Sequence, residues 1–377
     1  MEEAGALQTG KIGADRHICG RPDPHHETTL HEHLLLGVSR TFALTIPQLP
    51  DGLREAVTNA YLLCRIADTI EDDRNFDAEI KDSYHSAFLE AAESGRGAED
   101  FAQTVWPQLA QGTLEAEIEL MRESPRVLRI THQLLPHRRE AILRCLTTMS
   151  RGMGQFERSR SRRGLSDVAE LERYCYFVAG VVGEMLTELF CSHSPQINAR
   201  RNELEARAVS FGLGLQMTNV LKDIWDDYEN GVCWLPREVF NAYGYDLSEL
   251  QPHHNGNGAA FAASMQHMVG IAHAHLREAL EYTLAIPSNE TGIRRFLIWA
   301  TLLAASTLRK ISARPLFTAG TEVKVSRRKV TGIIGLSNAF IRSNTGLAGL
   351  FNIGARGLPL NDGNGSSKIV ERESKTQ

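Results

Sequence analysis

Two stretches of this chain place acidic side chains on one face of an otherwise apolar helix. In Phe211–Asp227, a helical rotation of about 100° per residue groups five polar residues, namely Gln216, Asn219, Asp223, Asp226 and Asp227. In Tyr61–Asp72 the same geometry groups Tyr61, Arg65, Asp68, Glu71 and Asp72. Buried carboxylates are costly unless cations receive them. The sequence therefore predicts two helices that face a shared cation site, and this requirement limits the folds open to the chain.

The repetition of the pattern carries more weight than either copy alone. Acids make up 46 of the 377 residues, so three acids at i, i+3 and i+4 are expected by chance about 0.7 times per chain. A pair of solvated helix faces is the alternative interpretation, but such faces are not expected inside largely apolar runs. Two copies, each with further polar residues on the same face, favour a functional pair.

The rest of the chain indicates an all-α fold. Alternating strand patterns are almost absent, and apolar residues recur at helical spacing over runs of about 15–30 residues. No shift in composition divides the chain, so we expect a single-domain helical bundle. The expected organisation is a disordered leader at residues 1–28, a helical domain at 29–352 and a polar flexible tail at 353–377.

Several local features of the helices are also predicted. Helices are expected near residues 137–161, 167–190, 198–229, 259–286 and 290–313. Asp51 is expected to cap the first acidic helix. Gly152 and Gly154 lower helix stability, so we expect them to mark either a close approach of a helix or ligand, or a kink.

Charge and cysteine usage exclude several classes of protein. The net charge of −5 and the pI near 6.3 argue against nucleic-acid binding. The six cysteines form no CxxC pair, which indicates buried thiols in a reducing compartment rather than disulfides or a zinc site. No secretory signal is present, and no uncharged apolar run reaches the length of about 18 residues that a membrane span needs. We therefore expect a cytoplasmic protein, a monomer, without a transmembrane helix.

The paired carboxylates suit a metal-dependent reaction of a diphosphate. Mg²⁺ binds one or two carboxylates and completes its coordination with water and substrate phosphates. Arg40, Arg65 and Lys222 are candidate cations for the diphosphate oxygens. A neutralised diphosphate is a good leaving group, and the allylic carbocation that remains needs a dry, aromatic-lined pocket. The sequence therefore predicts an apolar cavity next to the two acidic faces.

Six motifs resemble those of the squalene/phytoene synthase family, which has the all-α isoprenoid synthase fold with a central apolar cavity. They follow the family order over roughly residues 30–330, and they are SRTF (Ser39–Phe42), YLLCRIADTIEDD (Tyr61–Asp73), MSRGMGQFE (Met149–Glu157), YCYFVAGVVG (Tyr174–Gly183), LQMTNVLKDIWDD (Leu215–Asp227) and RRFLIWATLLA (Arg294–Ala304). The resemblance implies a condensation of two farnesyl diphosphates to presqualene diphosphate. Reduction of that intermediate by NADPH would then give squalene.

The resemblance also implies roles for individual residues. Asp68, Asp72, Asp223 and Asp227 would hold Mg²⁺ and diphosphate, with Glu71 and Asp226 as further metal ligands. Arg65 would assist catalysis, and Tyr174 would move the proton in cyclopropane formation, the alternative being an ordinary core tyrosine. The implied substrate contacts are Ser39, Arg40, Phe42, Tyr61, Val178, Val182, Leu186, Gln216, Asn219, Lys222 and Phe296. The implied cofactor contacts are Arg65, Asn219, Lys324 and Arg327.

Members of this family differ in whether they use a reductant. Gln216 and Asn219 before the second acidic motif, the basic segment VKVSRRKV (Val323–Val330) and the helices beyond residue 310 favour a reducing enzyme. Ser326 stands where a basic residue is expected, which weakens the cofactor match. The alternatives are a dehydrosqualene, phytoene or presqualene diphosphate synthase that performs no reduction, or a non-catalytic relative, which the intact acidic motifs disfavour. Thr331–Phe351 is expected to pack on the bundle or to make peripheral membrane contact.

Overall fold

The computed structural model describes residues 24–39, 41–252 and 256–361, with side chains from Leu30 onward. Most of the predicted leader, the later part of the predicted tail and Arg40 lie outside these ranges. The described residues contain no β-strand, only an isolated bridge between Leu165 and Pro236. The predicted all-α fold class is therefore confirmed.

The first half of the bundle carries the first acidic motif in its third helix. Its helices are α1 (Pro24–Val38), α2 (Phe42–Thr45), α3 (Leu53–Asp72), α4 (Ala78–Ser94), α5 (Ala98–Val105), α6 (Glu115–Arg122), α7 (Ser124–Gln133) and α8 (Pro136–Arg158). Short 3₁₀ turns extend α2 and α5 at Ile46–Gln48 and Trp106–Gln108. α3 packs against α7 and α8, so the acidic helix is held from behind by two neighbours.

The second half carries the second acidic motif across a break between two helices. Its helices are α9 (Val168–Cys175), α10 (Val181–His193), α11 (Pro195–Asn198), α12 (Arg201–Lys222), α13 (Ile224–Glu229), α14 (Arg237–Ala242), α15 (Gly258–Ala285), α16 (Thr291–Ala313), α17 (Gly320–Val323), α18 (Arg327–Phe340) and α19 (Asn344–Gly354). A 3₁₀ turn, Leu247–Glu249, lies between α14 and α15. α9 and α10 are joined through a π-helical segment, Tyr176–Gly180, of the kind often found at functional sites.

Glycines allow the central helices to approach closely. A Cβ atom at Gly183 would lie 2.0 Å from the Ala208 carbonyl oxygen, and one at Gly212 would lie 2.1 Å from that of Ala179. Gly152 confirms the predicted close approach, because a Cβ there would lie 2.1 Å from Cγ of Phe177. These contacts bring α8, the π-helical segment and α12 together around the space between the acidic motifs.

Two local predictions are wrong. Asp51 does not cap α3, because the cap position is Gly52 with φ of 73°, and Asp51 instead accepts a hydrogen bond from Nη2 of Arg54 at 2.6 Å. The predicted continuous helix 198–229 begins at Arg201 and is interrupted at Asp223, where the backbone adopts φ −100° and ψ 16°. The break reorients the helical turn that carries the last acids of the motif.

Two helical stretches are long and apolar enough to cross a membrane, namely Val168–His193 and Thr291–Ala313. In each, 67% of the apolar window is buried inside the protein. Both stretches lie in the core of the bundle, where α10 packs on α12 and α16 packs on α15. Their composition is that of buried core helices.

Candidate active site

A cavity of about 480 Å³ lies between the two acidic motifs. The sequence singled out sixteen of its lining residues. They are Phe42, Tyr61, Arg65, Asp68, Glu71, Asp72, Tyr174, Val178, Val182, Leu186, Gln216, Asn219, Lys222, Asp223, Asp227 and Phe296. These residues come from α2, α3, α9, the π-helical segment, α10, α12, α13 and α16. The fold therefore brings the two acidic motifs to one space, as the sequence predicts.

The first acidic face is held by a partly buried arginine. Nη1 of Arg65 donates to Oδ2 of Asp68 at 2.9 Å, and its Nη2 donates to Oε1 of Glu117 on α6 at 2.5 Å. Among the described residues, no cation forms an ion pair with Asp72, which lines the cavity. Desolvation by the surrounding protein, together with the negative charge of Asp68, raises the pKa of Asp72 to about 7. The first face is therefore left with unbalanced negative charge at the cavity.

The second acidic face repeats this arrangement with a lysine. Nζ of Lys222 lies 3.0 Å from Oδ2 of Asp223 and donates to the side-chain oxygen of Asn219 at 3.3 Å. Desolvation raises the pKa of Asp227 to about 7, and the negative charges of Asp223 and then Asp72 add to this shift. Because Asp72 acts on Asp227 across the cavity, the two faces share one electrostatic environment.

Tyr174 lies between the two faces within a group of aromatic rings. Its ring stacks on Trp234 with centroids 3.9 Å apart and an interplanar angle of 12°, and it meets Phe156 edge-on at 5.4 Å. Desolvation, followed by the negative charge of Asp227, raises the pKa of Tyr174 well above its usual range. The phenol therefore stays protonated next to the acidic faces and keeps a proton available to them.

The apolar part of the cavity lies away from the carboxylates. Phe42 contacts Tyr61 and Phe296, with ring centroids 5.2 and 6.4 Å apart. Val178, Val182 and Leu186 continue this wall along the π-helical segment and α10. A polar end and an apolar, aromatic end are thus joined in one cavity, as required for a substrate with an anionic head and a hydrocarbon chain.

Some of the predicted site residues are not brought into the cavity. Asp226 is exposed, because it lies at the edge of the predicted arc and the helix restarts at Ile224. Ser39 does not line the cavity, and its Oγ accepts a hydrogen bond from the backbone N–H of Phe42 at 3.0 Å. Lys324 and Arg327 are exposed and lie outside the cavity wall. Arg40 falls outside the described residues.

Other cavity residues were missed by the sequence reasoning. They include the polar residues Glu157, Arg160 and Asn230 and the aromatic residues Phe211 and Trp234. Glu157 ends the motif MSRGMGQFE, so the motif pointed to the right segment without assigning a role to this side chain. Trp234 lies in a turn, where helical periodicity gives no signal. Neither the arginine nor the tryptophan shares a helical face with the acids.

The carboxylates fit a divalent cation whose remaining coordination positions are filled by the substrate. Within the described ranges, no group of three His, Cys, Asp or Glu side chains is arranged to hold a metal ion by itself. The acids instead stand in two groups across the cavity, and the raised pKa values of Asp72 and Asp227 indicate carboxylates without enough positive charge nearby. Such groups suit Mg²⁺, which takes few protein ligands and several from phosphate and water.

Comparison with known proteins assigns the chain to a family. The family model described as "Squalene/phytoene synthase" matches residues 35–329. The chain belongs to the squalene/phytoene synthase family. The match covers most of the described bundle, including every helix that lines the cavity. The resemblance of the six motifs to this family is therefore confirmed.

Curated relatives of the family include squalene synthases from fungi and plants. The chain is 27% identical over 300 residues to the squalene synthase of Candida albicans, covering 78% of this chain and 64% of that protein. It is 30% identical over 294 residues to squalene synthase 1 of Arabidopsis thaliana, covering 76% and 65%. The chain therefore spans somewhat less than two thirds of the length of these relatives.

Solved structures share the family fold. A structure of TcSQS with a bound ligand aligns with a TM-score of 0.71 at 24% identity, covering 92% of this chain and 96% of that one. A dehydrosqualene synthase in complex with a ligand aligns with a TM-score of 0.58 at 20% identity, covering 85% and 98%. At these identities the likeness supports the fold alone, and it confirms the predicted isoprenoid synthase bundle.

Proposed function

We propose that this protein is a squalene synthase. It would condense two farnesyl diphosphates head to head, in a Mg²⁺-dependent reaction, to presqualene diphosphate, and NADPH would then reduce this intermediate to squalene. The observation that carries the proposal is the joining, in one cavity, of two facing acidic motifs, Tyr174 and an aromatic, apolar wall. The curated relatives named squalene synthase support the choice within the family.

Four aspartates are the proposed ligands of Mg²⁺ and, through it, of the diphosphates. They are Asp68 and Asp72 on the first face and Asp223 and Asp227 on the second, with Glu71 beside the first pair. Asp226 is assigned at most an outer role, because it points away from the cavity. Bound Mg²⁺ would neutralise diphosphate charge and so make it a better leaving group. Asp68 and Asp223 are each ion-paired, whereas Asp72 and Asp227 make no ion pair among the described residues and stay available for this purpose.

Cations and polar side chains from this chain would orient the diphosphates. Arg65 and Lys222 each hold an aspartate while keeping further N–H donors for phosphate oxygens. Asn219 and Gln216 line the cavity one and two turns before Asp223, and Tyr61 lines it one turn before Arg65. We place the anionic heads of both substrates at this end. The hydrocarbon chains would then extend along Phe42, Val178, Val182, Leu186 and Phe296.

Tyr174 is the proposed proton-transfer group. Its hydroxyl stays protonated because of burial and the nearby Asp227, and a diphosphate leaving group is a suitable base for its proton. The phenolate oxygen can then accept a proton from the carbon that closes the cyclopropane ring. The stacked Trp234 fixes the ring plane, and the apolar wall excludes water that would quench a carbocation.

NADPH would bind beside the second acidic face. A Cβ at Gly320, which begins α17, would lie 3.0 Å from the Lys222 carbonyl oxygen and 3.5 Å from Oδ1 of Asp223. This contact brings the start of the basic segment Val323–Val330 close to the cavity, so Lys324 and Arg327 are the proposed phosphate contacts. Arg65 and Asn219 are the proposed contacts inside the cavity. Bound NADPH would supply the hydride for the second step.

The alternative is a family member that stops at dehydrosqualene, phytoene or presqualene diphosphate without reduction. Product analysis separates these cases, using purified protein with farnesyl diphosphate and Mg²⁺, with and without NADPH. We expect squalene only with NADPH, and presqualene diphosphate or dehydrosqualene without it. The same product in both conditions would contradict the reductive step. No turnover of farnesyl diphosphate would contradict the assignment itself.

We also propose a cytoplasmic monomer that contacts membranes peripherally. Residues 323–361 contain six Lys or Arg and no acidic residue, although the chain carries a net charge of −5. Leu336 and Phe340, four residues apart on α18, are exposed by 57% and 43%. A helix with exposed apolar and basic side chains suits an anionic lipid surface. Sedimentation with phosphatidylglycerol vesicles tests this, since Leu336→Ser with Phe340→Ser should reduce binding, and unchanged binding would contradict it.

A further inference from the structure

A network of ion pairs at the edge of the cavity connects the end of one acidic helix to the end of the other. It consists of Lys81 on α4, Glu157 on α8 and Arg160 just after α8. None of these residues belongs to either acidic motif. The three side chains of this network are largely buried, with exposures of 3% for Lys81, 13% for Glu157 and 22% for Arg160.

Lys81 lies at the carboxyl end of the first acidic helix. Its Nζ donates to the backbone carbonyl of Glu71, in the last turn of α3, and to Oε1 of Glu157 at 2.7 Å. Lysine is almost never fully buried unless it is paired. A positive charge at a helix carboxyl end is favourable, and here it contacts the carbonyl of the residue directly before Asp72.

Arg160 lies at the carboxyl end of the second acidic helix. Its Nη1 lies 3.2 Å from Oε2 of Glu157, and its Nη2 donates to the backbone carbonyl of Asn230 at 2.9 Å. Asn230 directly follows α13, which carries Asp227. Arg160 also lines the cavity.

Both acidic helices therefore end on a cation, and one carboxylate joins the two cations. Glu157 accepts from Lys81 with one oxygen and from Arg160 chiefly with the other. Buried ion pairs contribute little net stability compared with apolar packing, but their directional bonds fix geometry. In a site where two groups of ligands must reach the same metal–diphosphate unit, an error of about 1 Å in spacing can lower the rate by about 10²-fold.

We infer that Glu157 is a positioning residue that, through Lys81 and Arg160, sets the spacing between the two acidic faces. The inference rests on the proposed function, because the spacing matters only if both faces act on one metal–diphosphate unit. Removing the Glu157 charge would release both helix ends at once while leaving every proposed ligand in place.

A neighbouring ion pair offers a matched control. Arg158 and Asp82 join the same two helices, α8 and α4, one residue along from Glu157 and Lys81, with Nη2 and Oδ2 2.6 Å apart. Their side chains are 58% and 42% exposed, and neither lines the cavity. Asp82→Asn therefore breaks a contact between the same helices without releasing either acidic helix.

The test compares Glu157→Gln with Asp82→Asn in two assays. The first is the rise in Tm that Mg²⁺ with inorganic diphosphate produces, and the second is the kcat and KM for farnesyl diphosphate. For Glu157→Gln we expect a smaller rise in Tm and a KM higher by about tenfold or more. For Asp82→Asn we expect both values within about twofold of the wild type, as for an exposed pair.

Equal behaviour of the two variants would overturn the inference. If Glu157→Gln fails to fold, Arg160→Gln removes only the link to α13, and it should reduce the Tm rise in the same direction. An unchanged rise in Arg160→Gln would then overturn the inference. A wild-type protein that does not turn over farnesyl diphosphate contradicts the proposed function instead, while the Tm assay with inorganic diphosphate still decides the role of Glu157.

Discussion

The two acidic faces carry the same spacing of carboxylates but are built differently. The first lies on one uninterrupted helix, α3, and its cation Arg65 is shared between Asp68 and Glu117 from another helix. The second crosses a break at Asp223, and its cation Lys222 comes from the same segment and is 30% exposed. The first face is anchored into the core, whereas the second is assembled locally at the cavity edge.

The two faces are alike in which of their aspartates lacks a neighbouring cation. In each, the first aspartate is ion-paired, and the aspartate four residues later has no ion pair among the described residues. The pKa of both of these later aspartates is raised to about 7. We therefore expect Asp72 and Asp227 to carry the chemistry that the two faces share, while the residues that hold each face in place differ.

The largest expected effect is on the two later aspartates. Asp72→Asn and Asp227→Asn should each lower kcat/KM for farnesyl diphosphate by on the order of 10²–10³-fold, because each removes a charge that stabilises the leaving diphosphate. Steady-state kinetics measures this. Asp226→Asn is the matched control, and it should stay near wild type because Asp226 is exposed. Similar losses for Asp226→Asn and Asp227→Asn would contradict the assignment of the shared chemistry to the buried aspartates.

The next prediction concerns how much Arg65 and Lys222 each contribute to the stability of the folded protein. Arg65→Met should lower the free energy of unfolding by about 3–5 kcal/mol, because it leaves two partly buried carboxylates without a cation. Lys222→Met should cost less, about 1 kcal/mol, because it leaves a single carboxylate without its cation and that pair is about one third exposed. Urea denaturation measures both values. Equal losses would show that the two faces are anchored in the same way.

Trp234 should affect the rate more than binding. Trp234→Leu removes the ring that stacks on Tyr174, and we expect kcat to fall by about tenfold with little change in KM. Trp234→Phe keeps a stacking ring and should retain most of the activity. A fall in activity of the same size in both variants would argue against stacking as the cause.

The last prediction concerns the pH dependence of the stability of the metal-free protein. An aspartate has a pKa of about 3.9 in an unfolded chain, whereas that of Asp72 and Asp227 is about 7 here. The folded protein keeps protons that the unfolded chain has released, so stability should fall as pH rises from about 4 through about 7. Thermal unfolding in EDTA measures this. The fall should be shallower in Asp72→Asn, and an unchanged slope would contradict it.

The sequence predicted the features that depend on periodicity. The helix class and the two acidic faces follow from residue spacing within single helices, whereas the apolar contacts Val178, Val182 and Leu186 were implied by the family resemblance. The structure places the two faces and these three residues around one cavity. Gly152 was predicted to mark either a close approach or a kink, because glycine destabilises a helix, and its position against Phe177 shows that it marks a close approach.

The features that were missed depend on contacts between distant parts of the chain. Lys81 and Glu157 are 76 residues apart, and Arg160 and Asn230 are 70 apart, so no local pattern connects them. The incorrect cap at Asp51 has a different cause, because a turn with positive φ at Gly52 competes with side-chain capping. The orientation of Asp226 depended on the break at Asp223, which helical spacing does not reveal.

The most direct test of the central claim is a crystal structure with Mn²⁺ and a non-reactive thio analogue of farnesyl diphosphate. Anomalous scattering from Mn²⁺ locates the metals independently of the protein. We predict metal positions within coordinating distance of both acidic faces, with Asp72 and Asp227 as ligands and the analogue's diphosphate between them. Metal bound to one face alone, or diphosphate bound away from the cavity, would contradict the account.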